Sequence, residues 1–391
     1  MSGEGAAHTA WLLIATTLAM LTVPGVALFY AGMVRRKNVL NTLALPLLAL
    51  VLVSLCWLVG AGAMDLGGRA GGMAGLGLGG TPLRDMSLIL SGALALALVA
   101  GGVVERTRCS FFLLFGFCWV LLVYGPLAHS LWGNGWLGSI GSLDFAGGAV
   151  VHVSAGVTAL VAAILIGPRK GHGRTEMRPN NLPLSVCGAG LMWVGWCGFA
   201  SGQGVVSMGT ATSAFVAIQA SAAAAALAWT SVEWIQRDKP TVLGTVSGGV
   251  AGLVAIAPAA GYVGPLSALV IGIGAGGLCY MVVNFVKPIL GYDDSLDVFG
   301  MHAVGGTWGM IATGLFASTA VNQAGSDGLF YGYPYQFFVQ CVAVLAVWVF
   351  AGGMTYLLVK GLGAVLSPRV DEEAEVMGLD LTQHGEKGYS N

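Results

Sequence analysis

The sequence predicts an all-α polytopic membrane protein, and three observations carry that reading. Residues AVILMFWYC make up 56% of the 391 and charged residues only 9%, against roughly a quarter charged in a soluble domain. Apolar runs of about 20 residues, the length a helix needs to cross a bilayer, recur along the whole chain. The Lys and Arg residues collect in every second loop. Nothing alternates in segments of about ten residues, as a transmembrane β-barrel would.

Eleven spans are expected in order, at roughly 10–34, 40–62, 86–104, 109–129, 145–167, 182–201, 211–235, 241–260, 265–286, 296–318 and 335–361. Met1 to Thr9 carries one Glu and no Lys or Arg. It lacks the basic region of a cleavable signal, so the first run is expected to be retained. The eighth is the weakest, because glycine dilutes it. With the N-terminus outside, the inside segments hold Arg35, Arg36, Lys37, Arg106, Arg108, Arg169, Lys170, Arg174, Arg178, Arg237, Lys239, Lys287, Lys360, Arg369 and Lys387. Only Arg69 and Arg84 fall outside, the asymmetry of cytoplasmic loops. Omitting the eighth span would carry Lys287, Lys360, Arg369 and Lys387 out. The expectation is therefore an extracytoplasmic N-terminus (1–9), a membrane domain (10–362) and a cytoplasmic C-terminal tail (363–391).

Other signals bound the chemistry. The net charge of −1 leaves no basic field for nucleic acid. None of the seven cysteines forms a CxxC pair, so they read as small buried hydrophobes. Gly244, Gly248 and Gly252 make two overlapping GxxxG spacings in the eighth span, and Ala222 to Ala226 gives the seventh a small-residue face. Small residues let helix backbones approach closely in lipid. In the loop Leu66 to Pro82, Gly75, Gly77 and Gly80 fit GxGxxG. No strand precedes them, so no nucleotide site is expected.

Two stretches stand out. Asp144-Phe-Ala-Gly-Gly-Ala-Val-Val-His152 sets a lone imidazole eight residues after a carboxylate, at the start of the fifth span. Asp294-Ser-Leu-Asp-Val-Phe-Gly-Met-His302 repeats the arrangement at the start of the tenth, entered from the opposite face. Eight helical residues rise about 12 Å, which puts each His near the middle of a core about 30 Å thick. Spans one to five and six to ten then read as inverted halves with a midplane site, and the eleventh is extra. Intramembrane ionisable residues are functional hypotheses by default. Two neutral imidazoles in contact could relay a proton or hold a small polar molecule. Metal binding would want a third ligand, and none sits at this depth. Asp144 suits an N-cap and also favours a cation at the outer end. Trp132 and Trp136 suit interface anchors, or an indole face for a cation. Trp193, Trp196 and Phe199 recur at spacing three and largely share a face.

These stretches resemble the Amt/MEP/Rh ammonium transporters, the Amt branch above all. Phe29-Tyr-Ala-Gly-Met-Val-Arg-Arg-Lys-Asn38 resembles the end of that family's first helix. Asp144 to His152 and Asp297 to Gly306 resemble its two histidine helices, and Gly378 to Glu386 its cytoplasmic tail. The resemblance implies an inverted five-helix repeat in a homotrimer, one pore per subunit, in the cytoplasmic (inner) membrane. It implies a twin-histidine pair, His152 and His302, with Trp196 lining the pore and Phe199 as the inner gate ring. Trp132 would recruit ammonium and Asp144 support that outer site. Ammonium would give up its proton near the gate and pass as ammonia, with no cofactor or enzymatic step. A PII-type regulatory protein is the partner implied at the cytoplasmic face.

The outer gate departs from the family pattern. Ser91 stands where an outer gate phenylalanine is expected, and Ser87 to Val104 holds no aromatic residue. Leu88 stands for a glutamine, and Ala200 and Gln203 for an asparagine and a serine. Gln203 could accept hydrogen bonds from ammonium. The leading expectation is ammonium/ammonia transport. The alternative is a receptor of the same fold that binds ammonium with little or no conduction. A third class, an intramembrane hydrolase built on Ser247, lacks the GxSxG turn.

Overall fold

Residues 3–63, 82–133, 135–203 and 208–389 are described by the structure, a computed structural model. Within them the chain is helical, and its one β contact is a bridge between Thr107 and Arg369. The GxGxxG glycines Gly75, Gly77 and Gly80 lie outside the described residues, as do residues 1 and 2 of the N-terminal segment.

The first expected span is broken into α1 (Gly3–Ala19) and α2 (Thr22–Met33). Pro24 accounts for the break, because it offers no N–H to the carbonyl four residues back and crowds the preceding turn. α3 (Val39–Ala63) and α4 (Pro82–Val103) follow. α5 (Cys109–Trp119) and α6 (Gly125–Trp132) are joined by a π-helical turn, Val120–Tyr124. There the Gly125 N–H reaches five residues back to Val120, just before Pro126. A short α7 (Trp136–Ser139) precedes a second π-turn, Gly148–Val153, which runs into α8 (Ser154–Ile166).

The later part repeats these devices. α9 (Leu182–Gln203), α10 (Met208–Arg237), α11 (Val242–Ile256) and α12 (Pro265–Met281) come first. A π-turn at Val282–Val286 leads to α13 (Lys287–Leu290), again just before a proline, Pro288. Another π-turn, Phe299–Ala303, leads to α14 (Val304–Phe316). α15 (Pro334–Gly363) is the last long helix, and α16 (Glu372–Met377) and α17 (Leu379–His384) form the tail.

Among the described residues nine helices are long and apolar enough to cross a membrane. They coincide with the expected spans one to seven, nine and eleven. The eighth is helical only over Val242–Ile256 and too short to qualify. It starts on the Thr241 cap, whose hydroxyl accepts the Gly244 N–H at 2.9 Å, and stops ahead of Pro258. The tenth is helical over its π-turn and α14.

Glycine sets the helix spacing. A Cβ on Gly188 of α9 would come within 2.2 Å of the Phe29 nitrogen in α2. On α11, a Cβ on Gly252 would meet the Ala222 Cα at 2.7 Å, and one on Gly248 the Ala226 Cα at 3.0 Å. The GxxxG face and the alanine face of α10 are therefore one interface. The cysteine reading needs a correction: Cys56 and Cys279 are buried, but Cys187 is exposed on α9.

One end of the bundle is held by buried ions. Glu105, fully buried at φ +71°, accepts from Arg35 Nε at 2.9 Å and Asn38 Nδ2 at 2.8 Å, and pairs with Arg169. Asp293 takes the Arg169 backbone N–H and guanidinium, each at 2.7 Å. The tail docks onto this layer. Glu375 pairs with Arg369 at 2.8 Å, and Asp380 accepts the Asn41 N–H at 2.9 Å at the start of α3. The acidic run Asp371 to Glu375 is thus only partly a solvated face, because Glu375 is 1% exposed. It is buried because it caps backbone and guanidinium groups left unpaired at that end.

Candidate functional site

Asp144 organises the outer half of the site. Its Oδ1 accepts the N–H groups of Gly147 (3.0 Å) and Gly148 (2.6 Å). Its Oδ2 accepts those of Ala149 (2.9 Å) and Val150 (3.0 Å). The first N–H groups of a helix have no partner within it, so one buried carboxylate satisfies the whole N-terminus and favours its positive dipole end. Gly147, at φ +93°, makes the turn that allows this. The Asp144 carbonyl oxygen receives the Trp132 indole N–H at 2.7 Å. Trp132 is half-buried, whereas Trp136 is 56% exposed and suits an interface anchor.

Asp294 is the counterpart at the other end. It is fully buried, and its Oδ2 accepts the Phe299 N–H at 2.6 Å at the head of the other π-turn. Here too a residue with positive φ, Asp297 at +60°, precedes the turn.

Each π-turn carries one histidine, and the two meet. His152 and His302 approach Nδ1 to Nδ1 at 3.3 Å, with ring centroids 5.3 Å apart. One ring must donate and the other accept, so the pair sets opposite tautomers. Trp196 of α9 stacks on the His152 ring, 4.9 Å between centroids at 13° between planes. His152 is 0% exposed, His302 4% and Trp196 1%. Among the described residues, the Nε2 of His152 and Nε1 of Trp196 are buried with no hydrogen-bond partner, a costly state for polar atoms unless a small polar guest meets them. Close packing allows the approach. A Cβ on Gly156 would lie 2.2 Å from the Ala303 nitrogen, and one on Gly306 2.7 Å from the Gly148 oxygen. Phe199, 5% exposed, follows Trp196 by one turn of α9.

The remaining candidates sit on or against α4. Ser91 is 1% exposed, and its hydroxyl lies 2.6 Å from the Tyr124 hydroxyl, which donates to the Leu88 carbonyl at 2.7 Å. Gln203 donates its amide to Ser87 Oγ at 2.6 Å. The structure therefore joins Trp132 to Asp144 and stacks His152, His302 and Trp196. It commits Ser91 and Gln203 to separate polar pairs. Sequence reasoning missed Tyr124 and Ser87, which complete those pairs. A phenol inside an apolar run needs a partner, and that was the one available signal. Among the described residues no cluster of three or more His, Cys, Asp or Glu could hold a metal.

Known proteins share this sequence pattern and fold. A family model described as Ammonium Transporter Family matches residues 10–389. The ammonium transporter of Bacillus subtilis (strain 168) is 44% identical, covering 98% of this chain and 98% of that protein. Ammonium transporter Amt1 of Archaeoglobus fulgidus is 41% identical, covering 98% and 99%. Among solved structures, Mep2 of Candida albicans superposes with a TM-score of 0.85 at 30% identity, over 98% of this chain and 90% of that one. A structure titled Sensor Amt Protein superposes at 0.86 and 25% identity, over 96% and 98%.

Proposed function

The chain belongs to the ammonium transporter family, and on that premise we propose that it passes ammonium as ammonia across the cytoplasmic membrane, along His152 and His302. One observation carries the reading. A hydrogen-bonded imidazole pair lies fully buried, with polar atoms of His152 and Trp196 left for a guest. Moving a bare cation through an apolar interior costs tens of kcal/mol by a Born estimate. Neutral ammonia needs only atoms that donate and accept in turn. In this reading Trp132 recruits the cation, and the Asp144 carboxylate and the carbonyl oxygen of Gln203 favour it at the mouth. Phe199 is the inner gate ring, and deprotonation precedes the histidines. Net charge movement then needs a proton path of its own.

The architecture proposed is eleven spans, N-terminus outside and tail inside, with residues 10–362 as the membrane domain. Two features support the inverted halves. Both histidine segments begin with a carboxylate-capped π-turn, and both preceding spans carry a π-turn just before a proline. A homotrimer with one pore per subunit, and a PII-type protein meeting the docked tail, complete the proposal. In proteoliposomes an ammonium pulse should produce a current or a pH change, altered by His152→Ala with His302→Ala. Folded protein that moves neither charge, ammonia nor methylamine would sink the reading.

A second reading rests on Ser91. Its hydroxyl meets Tyr124 where relatives are expected to place a gate ring, and one structural neighbour is titled a sensor. A receptor of this fold would bind ammonium saturably without flux.

A further inference from the structure

The two glutamines of α15 bond neither histidine, yet both are as buried as any residue in the molecule. Gln340 is 0% exposed and Gln336 1%. Buried polar side chains in a membrane helix are costly and commonly mark function.

Gln340 is spent on the short segment ahead of Asp144. Its Oε1 accepts the Leu143 N–H at 2.8 Å, and its Nε2 donates to the Leu143 carbonyl at 2.7 Å. Oε1 also takes the Ser142 hydroxyl at 3.1 Å, and Nε2 reaches the Met310 carbonyl at 3.3 Å. Gln336 donates to the Gly141 carbonyl at 3.1 Å. Only a primary amide offers a donor and an acceptor side by side at this length, so the Leu143 backbone is gripped at both its polar groups. On the other side, Phe145 N–H and Ala146 N–H are held by the carbonyls of Pro258 and Ala257. Asp144 sits between the two clamps. Its carboxylate caps the His152 π-turn and its carbonyl holds the Trp132 indole.

We infer that Gln340 is a positioning residue for cation capture: its amide clamps Leu143 and so sets the orientation of Asp144 and the Trp132 indole. The inference rests on the transport reading. It assigns the last long helix a role at the mouth, although among the described residues no side chain of that helix bonds either histidine.

The test uses the full-length protein in proteoliposomes, with ammonium flux measured over a concentration series, for wild type, Gln340→Met, Gln340→Glu and Thr355→Val. Thr355 is buried on the same helix and bonds Thr158, away from the mouth. It reports a merely structural defect. Gln340→Met should raise the apparent KM about tenfold, with maximal rate within about twofold. Gln340→Glu keeps the acceptor for Leu143 N–H but turns an oxygen on the Leu143 and Met310 carbonyls, so it too should raise KM. Thr355→Val should leave KM alone. Amide hydrogen exchange should quicken across residues 143–150 in the Gln340 variants only. If Gln340→Met does not fold, Gln340→Glu carries the test. An unchanged KM in the folded Gln340 variants, or an equal KM rise in Thr355→Val, would overturn the inference while leaving transport intact. Wild-type protein without flux would overturn the transport reading and the capture role together, and the exchange data would still show whether Gln340 holds the segment.

Discussion

His152 and His302, 150 residues apart in the chain, face each other Nδ1 to Nδ1 at 3.3 Å with their rings 25° from parallel. Each ring arrives on its own π-helical turn, and each turn is headed by a buried aspartate. Removing either ring leaves the other with an unpaired buried nitrogen, a loss of about 1–3 kcal/mol. His302→Ala should lower ammonium-evoked flux roughly tenfold or more, the rate equivalent of about 1.4 kcal/mol. His302→Gln keeps a donor and an acceptor and should lose less. Stopped-flow pH measurements on proteoliposomes compare them, and equal flux in wild type and His302→Ala would remove the pair from the path.

Trp132 gives the second prediction. If its indole recruits the cation, Trp132→Leu should raise the apparent KM by a factor of about 2 to 30, for a cation–π contact of about 0.5–2 kcal/mol. The maximal rate should change little. A fall in rate at constant KM would show that Trp132 acts on passage instead.

Packing beside the histidines gives the third. Gly156→Ala puts a methyl where the Ala303 nitrogen lies 2.2 Å away. The neighbour is backbone, so the two π-turns must part. Overpacking of this kind costs about 1–3 kcal/mol. The variant should melt at lower temperature in detergent and lose flux as well. Gly190→Ala, with no atom of the described residues within 4 Å of its added Cβ, should do neither.

The fourth concerns pH. Burial by itself would raise the Asp293 carboxyl, but hydrogen bonds and charge from Arg169 hold it well below the usual carboxylate range. Burial opposes ionisation of Glu105 too, and the charges of Arg169 and Arg35 bring it below its ordinary value. Groups depressed in the folded state stabilise it above the unfolded pKa, and that contribution is lost as pH falls through the folded value. Thermal stability should therefore hold from pH 8 to about 5 and decline below about 4, the ordinary carboxylate range. Arg169→Gln should be less stable at pH 7 by about 3–5 kcal/mol, as for a broken buried pair. Its deficit should shrink as pH falls. A deficit that stays constant with pH would assign Arg169 a packing role.

The docked tail supplies the fifth. Glu375→Ala removes the acceptor for Arg369 and for the Lys170 N–H. Limited proteolysis should then cut after α15 faster than in wild type. Pulldown of a cognate PII protein with the full chain, and with residues 363–391 removed, tests the partner. Equal capture by both would place the partner surface elsewhere.

Much of this was legible in the residues themselves. The Asp-to-His spacing picked out both histidines, and the GxxxG and alanine runs marked two small-residue faces, because both depend on local sequence periodicity; that these faces pack on each other was not legible. The tail motif, Gly378 to Glu386, covered Asp380 without showing that it is buried, and it did not reach Glu375. Tyr124, Ser87 and Gln340 were not legible. A hydroxyl or amide in an apolar run shows that a partner is needed, and nothing in the run says which helix supplies it.

The sequence by itself determined the membrane class, the family and the segment that carries each histidine, because apolar length and local spacing are written one residue after another. Tertiary structure alone decided the rest. It showed that His152 and His302 share a hydrogen bond, that Asp144 spends its carboxylate on four backbone N–H groups, and that Ser91 is matched by Tyr124. The physical reason is common to all three. A buried polar atom is satisfied by whichever group packing brings within about 3 Å, and that group comes from a part of the chain that sequence distance does not predict.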